Sequence, residues 1–197
     1  GDRAIDPIFG DAGSAVLVEK TGRSAPTHFV LGTDGSGDEA IRVGQGGARQ
    51  PAGDLVEQTD ADGNRRHDAN LCMNGADVFS FTLREVPTAI AAVLRQAGWE
   101  AAKTDALVLH QANTFMMQSL AKKTGYAEAQ VPTGAFERYG NQSSASIPAA
   151  LIEGLGGRLE AESLRVVGCG YGVGLSWGAF AGEIGPITVC PIQSFPR

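Results

Sequence analysis

The order of the patterned segments after residue 76 constrains the fold more than any other feature of the sequence. Apolar side chains recur at helical spacing over residues 78–96, and residues 106–109 form a short apolar run that predicts a buried strand. The later segments are predicted helices at 113–123 and 144–154 and predicted strands at 164–168 and 175–184. Pro87 is expected to kink or interrupt the first helix. The order helix, strand, helix, helix, strand, strand predicts an α/β layer with a mixed sheet between helices.

The part of the chain before residue 76 has weaker patterns. Residues 14–19 and 28–31 are short β-branched runs separated by residues 20–23, which predicts two antiparallel strands joined by a turn. Residues 32–70 are rich in Gly, Asp and Gln and have little periodicity. A long loop, functional or mobile, is therefore expected there.

Composition argues against several kinds of partner and site. The formal net charge is −6 and no run of Lys or Arg exceeds a pair, so nucleic acid is not an expected partner. Cys72, Cys169 and Cys190 show no CxxC spacing, so no disulfide framework and no metal site are predicted, and each is interpreted as a small buried apolar residue. No signal peptide or membrane span is recognised, and a reducing cytoplasm is the expected location.

Three segments carry the chemistry, and two upstream segments accompany them. The three are LHQAN at 109–113, YGNQSSASIP at 139–148 and GCGYGVGLSWGA at 168–179, and the two upstream are FGDAGSA at 9–15 and MNGADVF at 73–79. In identity, order and spacing they resemble the C-terminal half of β-ketoacyl-acyl carrier protein synthase III. The resemblance covers essentially the whole chain and is specific to the family, though not to one substrate.

The resemblance implies a thiolase-like fold with layers α/β/α around a mixed five-stranded sheet, of which this chain is the C-terminal half of a pseudo-duplicated enzyme. Residues 1–50 are expected to hold the final strands of the N-terminal half and a connecting loop. Residues 51–197 are expected to form the C-terminal domain. The start at Gly1, without an initiator Met, is interpreted as a start within a domain.

The resemblance also implies a Cys-His-Asn active site that acylates a cysteine and condenses the acyl group with a malonyl thioester. His110 and Asn141 match the family's histidine and asparagine. Loss of CO2 leaves an enolate, which two neutral N–H donors can stabilise, and a helix starting near His110 is expected to keep its imidazole neutral. The backbone of Tyr171, Gly172, Val173 and Gly174 matches the family's oxyanion loop. Without the motif, His110 would be interpreted as a core histidine and Asn141 as a helix N-cap.

Four more residues are expected to touch the substrate: Asn74, Gly75, Asn113 and Phe115. Many bacterial members carry an arginine that contacts the carrier where this chain has Phe115, which makes a CoA thioester or a specialised carrier more plausible. Lys122 and Lys123 are interpreted as a solvated helix end, with carrier docking as the minority interpretation. No cofactor is expected, because CoA or acyl carrier protein thioesters are the substrates.

The family's nucleophilic cysteine lies in the N-terminal half, so the chain alone is expected to be inert and to need that half as a partner. The complete enzyme is expected to be a homodimer. Two alternatives stay open. One is an acyltransferase of secondary metabolism that works without decarboxylation and uses His110 as a general base. The other is a non-catalytic subunit that stabilises an active homologue.

Overall fold

A computed structural model describes residues 5–20, 22, 25–60 and 63–194. It contains twelve longer or paired elements, which are, in chain order, β1 His28–Thr33, β2 Ile41–Val43, β3 Gln58–Thr59, β4 Arg65–Arg66, β5 Leu71–Met73, α1 Gly75–Ala97, β6 Ala106–Leu109, α2 Thr114–Thr124, α3 Gly134–Tyr139, α4 Ser146–Ala161, β7 Leu164–Gly172 and β8 Ser176–Ile184. Short 3-10 helices lie at Gly35–Ala40, Ala101–Lys103, Glu128–Gln130 and Ser143–Ala145.

The main sheet has the strand order β1-β8-β7-β6. β6 runs parallel to β7, with Leu109 opposite Cys169, while β7 with β8 and β8 with β1 are antiparallel. The predicted mixed sheet is confirmed. The expected number of five strands is wrong for the described residues, in which this sheet has four.

The missing strand is the one predicted at residues 14–19. These residues adopt no regular structure, and Val16, Leu17 and Val18 are 74%, 89% and 85% exposed. An extended apolar run becomes a strand only when a neighbouring strand pairs with it, and the described residues provide none there. The predicted hairpin is therefore wrong, since β1 pairs with β8 instead. The proposed domain boundary near residue 50 stays a prediction.

The predicted long loop at 32–70 contains more structure than expected. β2 pairs with β5 and β3 pairs with β4, in two small antiparallel ribbons. The β3–β4 connection is closed by Asp60, whose side chain accepts a hydrogen bond from the backbone N–H of Asn64 at 2.9 Å. Gly63 supplies the positive φ of +80° that this turn needs.

α1 begins and ends where capping chemistry places it. The Asn74 side chain accepts hydrogen bonds from the backbone N–H groups of Ala76 and Asp77, and Gly98 closes the helix in the left-handed conformation. Pro87 lies inside the helix without interrupting it. The carbonyl oxygen of Leu83, which cannot receive a bond from the absent N–H of residue 87, accepts one from Lys123 Nζ at 2.8 Å. This contact gives Lys123 a structural role that the solvated-end interpretation missed.

Replacing Lys123 by alanine is expected to lower the free energy of unfolding by about 1 kcal/mol, because the Leu83 carbonyl loses its substitute donor. Lys122→Ala, one residue away on the exposed surface, is the matched control. In a Pro87→Ala background the backbone N–H of residue 87 returns, so the cost of Lys123→Ala should vanish. Urea unfolding of the four variants measures this, and an equal cost in both backgrounds would refute the assignment.

Apolar side chains fill the space on both sides of the sheet. β6 shows the division, because Leu107 and Leu109 belong to the cluster that faces α1 and α2, while Ala106 and Val108 belong to the cluster that faces α4. The layered α/β/α arrangement is thereby confirmed. Among the described residues, none of the helices combines the length and the apolar composition that a membrane span requires.

Two features of the α4 region differ from prediction. α3 was not predicted, and α4 runs to Ala161 rather than stopping at residue 154. Gly154, where the predicted helix ends, lies within the observed helix, and a Cβ atom there would come 2.5 Å from Cβ of Pro132. The glycine therefore serves close packing rather than helix termination.

Candidate active site

His110 follows directly after β6. Its backbone N–H donates to the Cys169 carbonyl at 2.9 Å, which extends the β6–β7 ladder by one residue. α2 begins at Thr114, and the Asn113 side chain caps it by accepting from the Met116 N–H at 2.8 Å. His110 therefore lies at the predicted strand-to-helix junction.

Side chains from α4 and β7 surround the His110 imidazole. Its Nδ1 lies 2.7 Å from Ser146 Oγ, and its ring meets the Tyr171 ring edge-on at 5.3 Å between centroids. The Tyr171 hydroxyl donates to the His110 carbonyl oxygen at 3.2 Å, so Tyr171 holds both the ring and the backbone of residue 110. Burial lowers the pKa of His110 to about 4, and a backbone contact with Ser143 offsets this in part. Burial, rather than the expected helix terminus, is therefore the main cause of the neutral imidazole.

Asn141 lies between α3 and the 3-10 turn before α4, and it is 8% exposed. Its backbone N–H donates to the Ile8 carbonyl at 2.8 Å, and its carbonyl accepts from the Gly10 N–H at 3.0 Å. Its side-chain Oδ1 accepts from the Ser143 N–H at 2.9 Å. The Nδ2 end has no protein acceptor in the described part of the chain, so it is the end available to a substrate oxygen.

Glycines permit the close approach of the two segments around Asn141. Gly140 has φ +72°, and a Cβ there would lie 2.7 Å from the Ile8 carbonyl oxygen. A Cβ at Gly10 would overlap the Tyr139 carbonyl oxygen. The segment around Gly10 thus holds Asn141 in place, a contact between distant parts of the chain that no local pattern could predict.

Ser143 joins the two candidate catalytic residues. Its N–H binds the Asn141 side chain, and its backbone contacts His110. Ser143 adopts a left-handed φ of +51°, which is uncommon for a residue with a side chain. The structure therefore brings His110 and Asn141 to a shared neighbour in a strained turn.

The predicted oxyanion loop is a tight hairpin turn. The strands reach further than expected, so Tyr171 and Gly172 belong to β7, and the turn itself is Val173, Gly174 and Leu175. Leu175 exchanges two backbone hydrogen bonds with Asp34, at 2.8 and 2.9 Å, which anchors the turn to the end of β1. Gly174 has φ +143° and Val173 is exposed. Only Tyr171 of the four predicted residues contacts His110 in the described hydrogen bonds and ring contacts.

The four predicted substrate contacts lie at the start of two helices. Asn74 and Asn113 use their side-chain oxygens as N-caps of α1 and α2, and Gly75 is the first residue of α1. Phe115, 68% exposed in the first turn of α2, stacks on Phe79 of α1 with ring centroids 5.7 Å apart. This stack joins the two helix starts beside the His110 segment.

The three cysteines differ in environment. Cys169 is fully buried, and burial raises the pKa of its thiol to about 12, which makes it a poor nucleophile. Cys72 is half-buried, and Cys190 is exposed, so the prediction of a buried residue is wrong for Cys190. Cys190 follows β8 and lies outside the sheet. Within the described ranges, no group of three or more His, Cys, Asp or Glu side chains could hold a metal ion.

Ser146 is the residue at this site that the sequence did not single out. It is fully buried and touches the His110 ring, whereas no side chain, that of Asn141 included, caps the start of α4. Nothing in the run SSAS distinguishes this serine from its neighbours. Its role depends on the fold, because it comes from α4 and meets His110 from β6.

The folded state should lose stability as pH falls from 7 to 5. The pKa of His110 is about 4 in the fold and ordinarily near 6.5, so the unfolded chain binds a proton in this range that the folded chain does not. This residue alone should lower the free energy of unfolding by about 2 kcal/mol. Urea unfolding at both pH values checks this, and His110→Gln should remove that part of the loss. An equal loss in both proteins would contradict the assignment.

Comparison with known proteins extends these observations. Residues 94–184 match the family described as 3-oxoacyl-(acyl-carrier-protein (ACP)) synthase III C terminal. A curated relative, beta-ketoacyl-(acyl-carrier-protein) synthase III of Symbiobacterium thermophilum, is 40% identical over 182 residues, which cover 91% of this chain and 52% of that protein.

Solved structures of synthases of the same kind agree with the family match. A 3-oxoacyl-(acyl-carrier protein) synthase from Burkholderia xenovorans matches with TM-score 0.77 and 36% identity, covering 88% of this chain and 48% of the other. Synthase III from Thermus thermophilus matches with TM-score 0.76 and 32% identity, covering 94% and 55%. The chain thus spans about half the length of the relatives it matches. The sequence motifs and the sheet of the chain agree with these matches. The chain therefore belongs to the thiolase-like β-ketoacyl-acyl carrier protein synthase III family.

Proposed function

We propose that this chain supplies the histidine and asparagine of an acyl-thioester condensing enzyme of the synthase III type. The observation that carries the proposal is the arrangement of His110 and Asn141 on the two sides of Ser143, with the Asn141 Nδ2 end unoccupied. A neutral imidazole and a carboxamide held this way suit an oxygen that gains negative charge during reaction.

The proposed chemistry begins when the malonyl thioester loses CO2. The carbon–carbon bond to the carboxylate breaks, and its electron pair moves toward the thioester carbonyl as an enolate. His110 and Asn141 each donate an N–H to the enolate oxygen. The enolate carbon then attacks an acyl-cysteine thioester, a new carbon–carbon bond forms, and the cysteine leaves as a thiolate. A protonated His110 is not needed at any step, which agrees with its lowered pKa.

The nucleophilic cysteine of this proposal comes from a second half that lies outside this chain. Cys169, the cysteine next to His110 in the sheet, is excluded by its burial and raised pKa. Apolar surface supports a missing partner: Val16, Leu17 and Val18 are exposed, and Phe29 and Leu31 on the edge strand β1 are 61% and 80% exposed. Exposed aliphatic and aromatic side chains on a run of residues and on an edge strand are typical of a covered interface. In this proposal the N-terminal half covers it.

The proposed substrates are an acyl group and a malonyl group carried on CoA or on an acyl carrier protein. The names of the relatives include an acyl carrier protein, which supports an acyl carrier protein as the carrier of the substrates. Phe115, exposed and stacked on Phe79, offers apolar surface where a basic side chain would attract an acidic carrier, and this favours CoA or a specialised carrier. A homodimer of the complete enzyme in the cytoplasm completes the proposal.

One alternative use of the same site is acyl transfer to an oxygen, nitrogen or carbon acceptor without decarboxylation, with His110 as general base. The exposed Phe115 is the observation that favours it. The lowered pKa of His110 counts against it, because a base with a pKa of about 4 holds a proton weakly near neutral pH. A non-catalytic subunit would need neither His110 nor Asn141.

Release of labelled CO2 from malonyl-CoA or a malonyl carrier thioester, labelled in the free carboxyl group, tests this function. The native protein that contains this chain, together with any polypeptide that accompanies it, should release CO2 faster when an acyl thioester is present. Acyl transfer to an acceptor without CO2 release would establish the alternative. Neither activity with either carrier would overturn the proposal.

A further inference from the structure

Ser146 is the first residue of α4, and no part of it is exposed to solvent. Its hydroxyl oxygen lies 2.7 Å from Nδ1 of His110 and accepts a hydrogen bond from the backbone N–H of Gln111 at 3.3 Å. Ser146 thus contacts both the ring of the candidate catalytic histidine and the residue that follows it.

The hydrogen-bond inventory of this hydroxyl decides which way its proton points. A serine hydroxyl has one proton and two acceptor lone pairs. The Gln111 N–H occupies one lone pair. In the described part of the chain, the only other hydrogen-bond partner of Ser146 Oγ is His110 Nδ1. A buried O–H that pointed elsewhere would stay without an acceptor, which is costly, so the proton belongs on the line to Nδ1.

The Gln111 backbone is itself held firmly. Its side-chain Nε2 donates to the Leu109 carbonyl at 2.9 Å and to the Pro132 carbonyl at 3.1 Å, and the residue is fully buried. The donor that occupies the Ser146 lone pair therefore cannot turn away. Nδ1 of His110 then accepts from the Ser146 hydroxyl, and the proton of the neutral imidazole must sit on Nε2.

We propose that Ser146 is a positioning residue that fixes neutral His110 as the Nε2–H tautomer and directs that N–H toward the reacting oxygen. The inference rests on the proposed function for its consequence, because only the Nε2–H form makes His110 a donor to the enolate. The tautomer itself is a property of this chain and can be observed without any reaction. A hydroxyl that sets the tautomer of a catalytic imidazole acts through that imidazole, as second partners of histidine do elsewhere.

Nitrogen NMR of the chain labelled with ¹⁵N at histidine tests the tautomer directly, and His110→Gln identifies the His110 signals. At neutral pH the unmodified chain should show His110 with an unprotonated Nδ1 and a protonated Nε2. Ser146→Ala should convert these signals to a mixture of tautomers or to the Nδ1–H form, and Ser146→Thr, which keeps the hydroxyl, should restore them. Should the alanine variant fail to fold, Ser146→Cys provides a weaker donor of similar size, with a partial shift expected.

An unchanged Nε2–H tautomer in Ser146→Ala, or in Ser146→Cys if the alanine variant does not fold, would overturn the proposal. In the native protein, Ser146→Ala should also lower the rate of CO2 release by at least about tenfold while acylation of the cysteine continues. If the tautomer changes but CO2 release does not, the positioning role stands for the ring and the proposed use of His110 in decarboxylation fails. The two readouts thus separate this inference from the proposed function.

Discussion

Asn141→Ala is expected to slow the decarboxylation of a malonyl thioester by about 10²–10³-fold, the usual effect of losing one donor to a developing oxyanion. Acylation of the nucleophilic cysteine should continue at nearly its normal rate. The reason is that in the proposed function Asn141 donates from its free Nδ2 end to the enolate oxygen, while its side-chain Oδ1 is bound to the Ser143 N–H. CO2 release and the mass of the acyl-enzyme, measured on the same samples of the native protein, separate the two steps.

Gln96→Ala, on the exposed face of α1, is the matched control for loss of a carboxamide and should change neither step. Combining Asn141→Ala with His110→Ala should cost much less than the product of the two single effects, because both donors act on one oxygen. An equal loss of acylation and decarboxylation in Asn141→Ala would contradict the assigned role and indicate general damage to the site.

Gly140→Ala should destabilise the fold by about 3 kcal/mol or more, through two effects at one position. The residue adopts φ +72°, which disfavours a side chain, and its Cβ would lie 2.7 Å from the Ile8 carbonyl oxygen. Relief of that contact requires the Ile8–Gly10 segment to move away from Asn141. Urea unfolding measures the loss of stability, and CO2 release by the folded fraction should fall as well.

Gly157→Ala is the control, because this glycine is a solvent-exposed residue within α4, away from both helix ends, with open space around its Cβ position. There alanine should raise the free energy of unfolding by about 0.5–1 kcal/mol, since it lowers the entropy of the unfolded chain and favours helix. Stability of Gly140→Ala equal to that of the unmodified protein would show that the Gly140 contact with Ile8 carries no strain.

The parts of the fold that sequence predicts well are those whose signals are local. β6 is a four-residue apolar run, and it was predicted with its observed bounds. α2 was predicted within one residue at each end, since Asn113 caps its start and Gly125 its end. The strand predicted at 14–19 failed because a strand needs a neighbour, and its apolar residues lie exposed instead. The helix predicted to end at Gly154 continues to Ala161, and the packing of Gly154 against Pro132 is a tertiary contact that local patterns do not show.

The candidate site also contains residues that local sequence motifs identify and contacts that only the fold creates. His110 and Asn141 were identified from motifs, and the structure joins them through Ser143, whose positive φ has no sequence signature because it is not a glycine. The contacts that hold the pair come from distant parts of the chain, from Gly10 to Asn141 and from Ser146 to His110. A hydrogen bond between residues 36 positions apart leaves no periodicity to detect.

Identifying the cysteine that accepts the acyl group tests the central claim most directly. Intact mass spectrometry of the native protein, before and after incubation with acyl-CoA thioesters and followed by mapping of the modified cysteine, gives the answer. The expected result is an added acyl group on a cysteine outside residues 1–197, with Cys72, Cys169 and Cys190 unmodified. Acylation of one of these three cysteines, or no acylation at all, would contradict the claim that this chain completes the active site of a condensing enzyme whose nucleophile lies elsewhere.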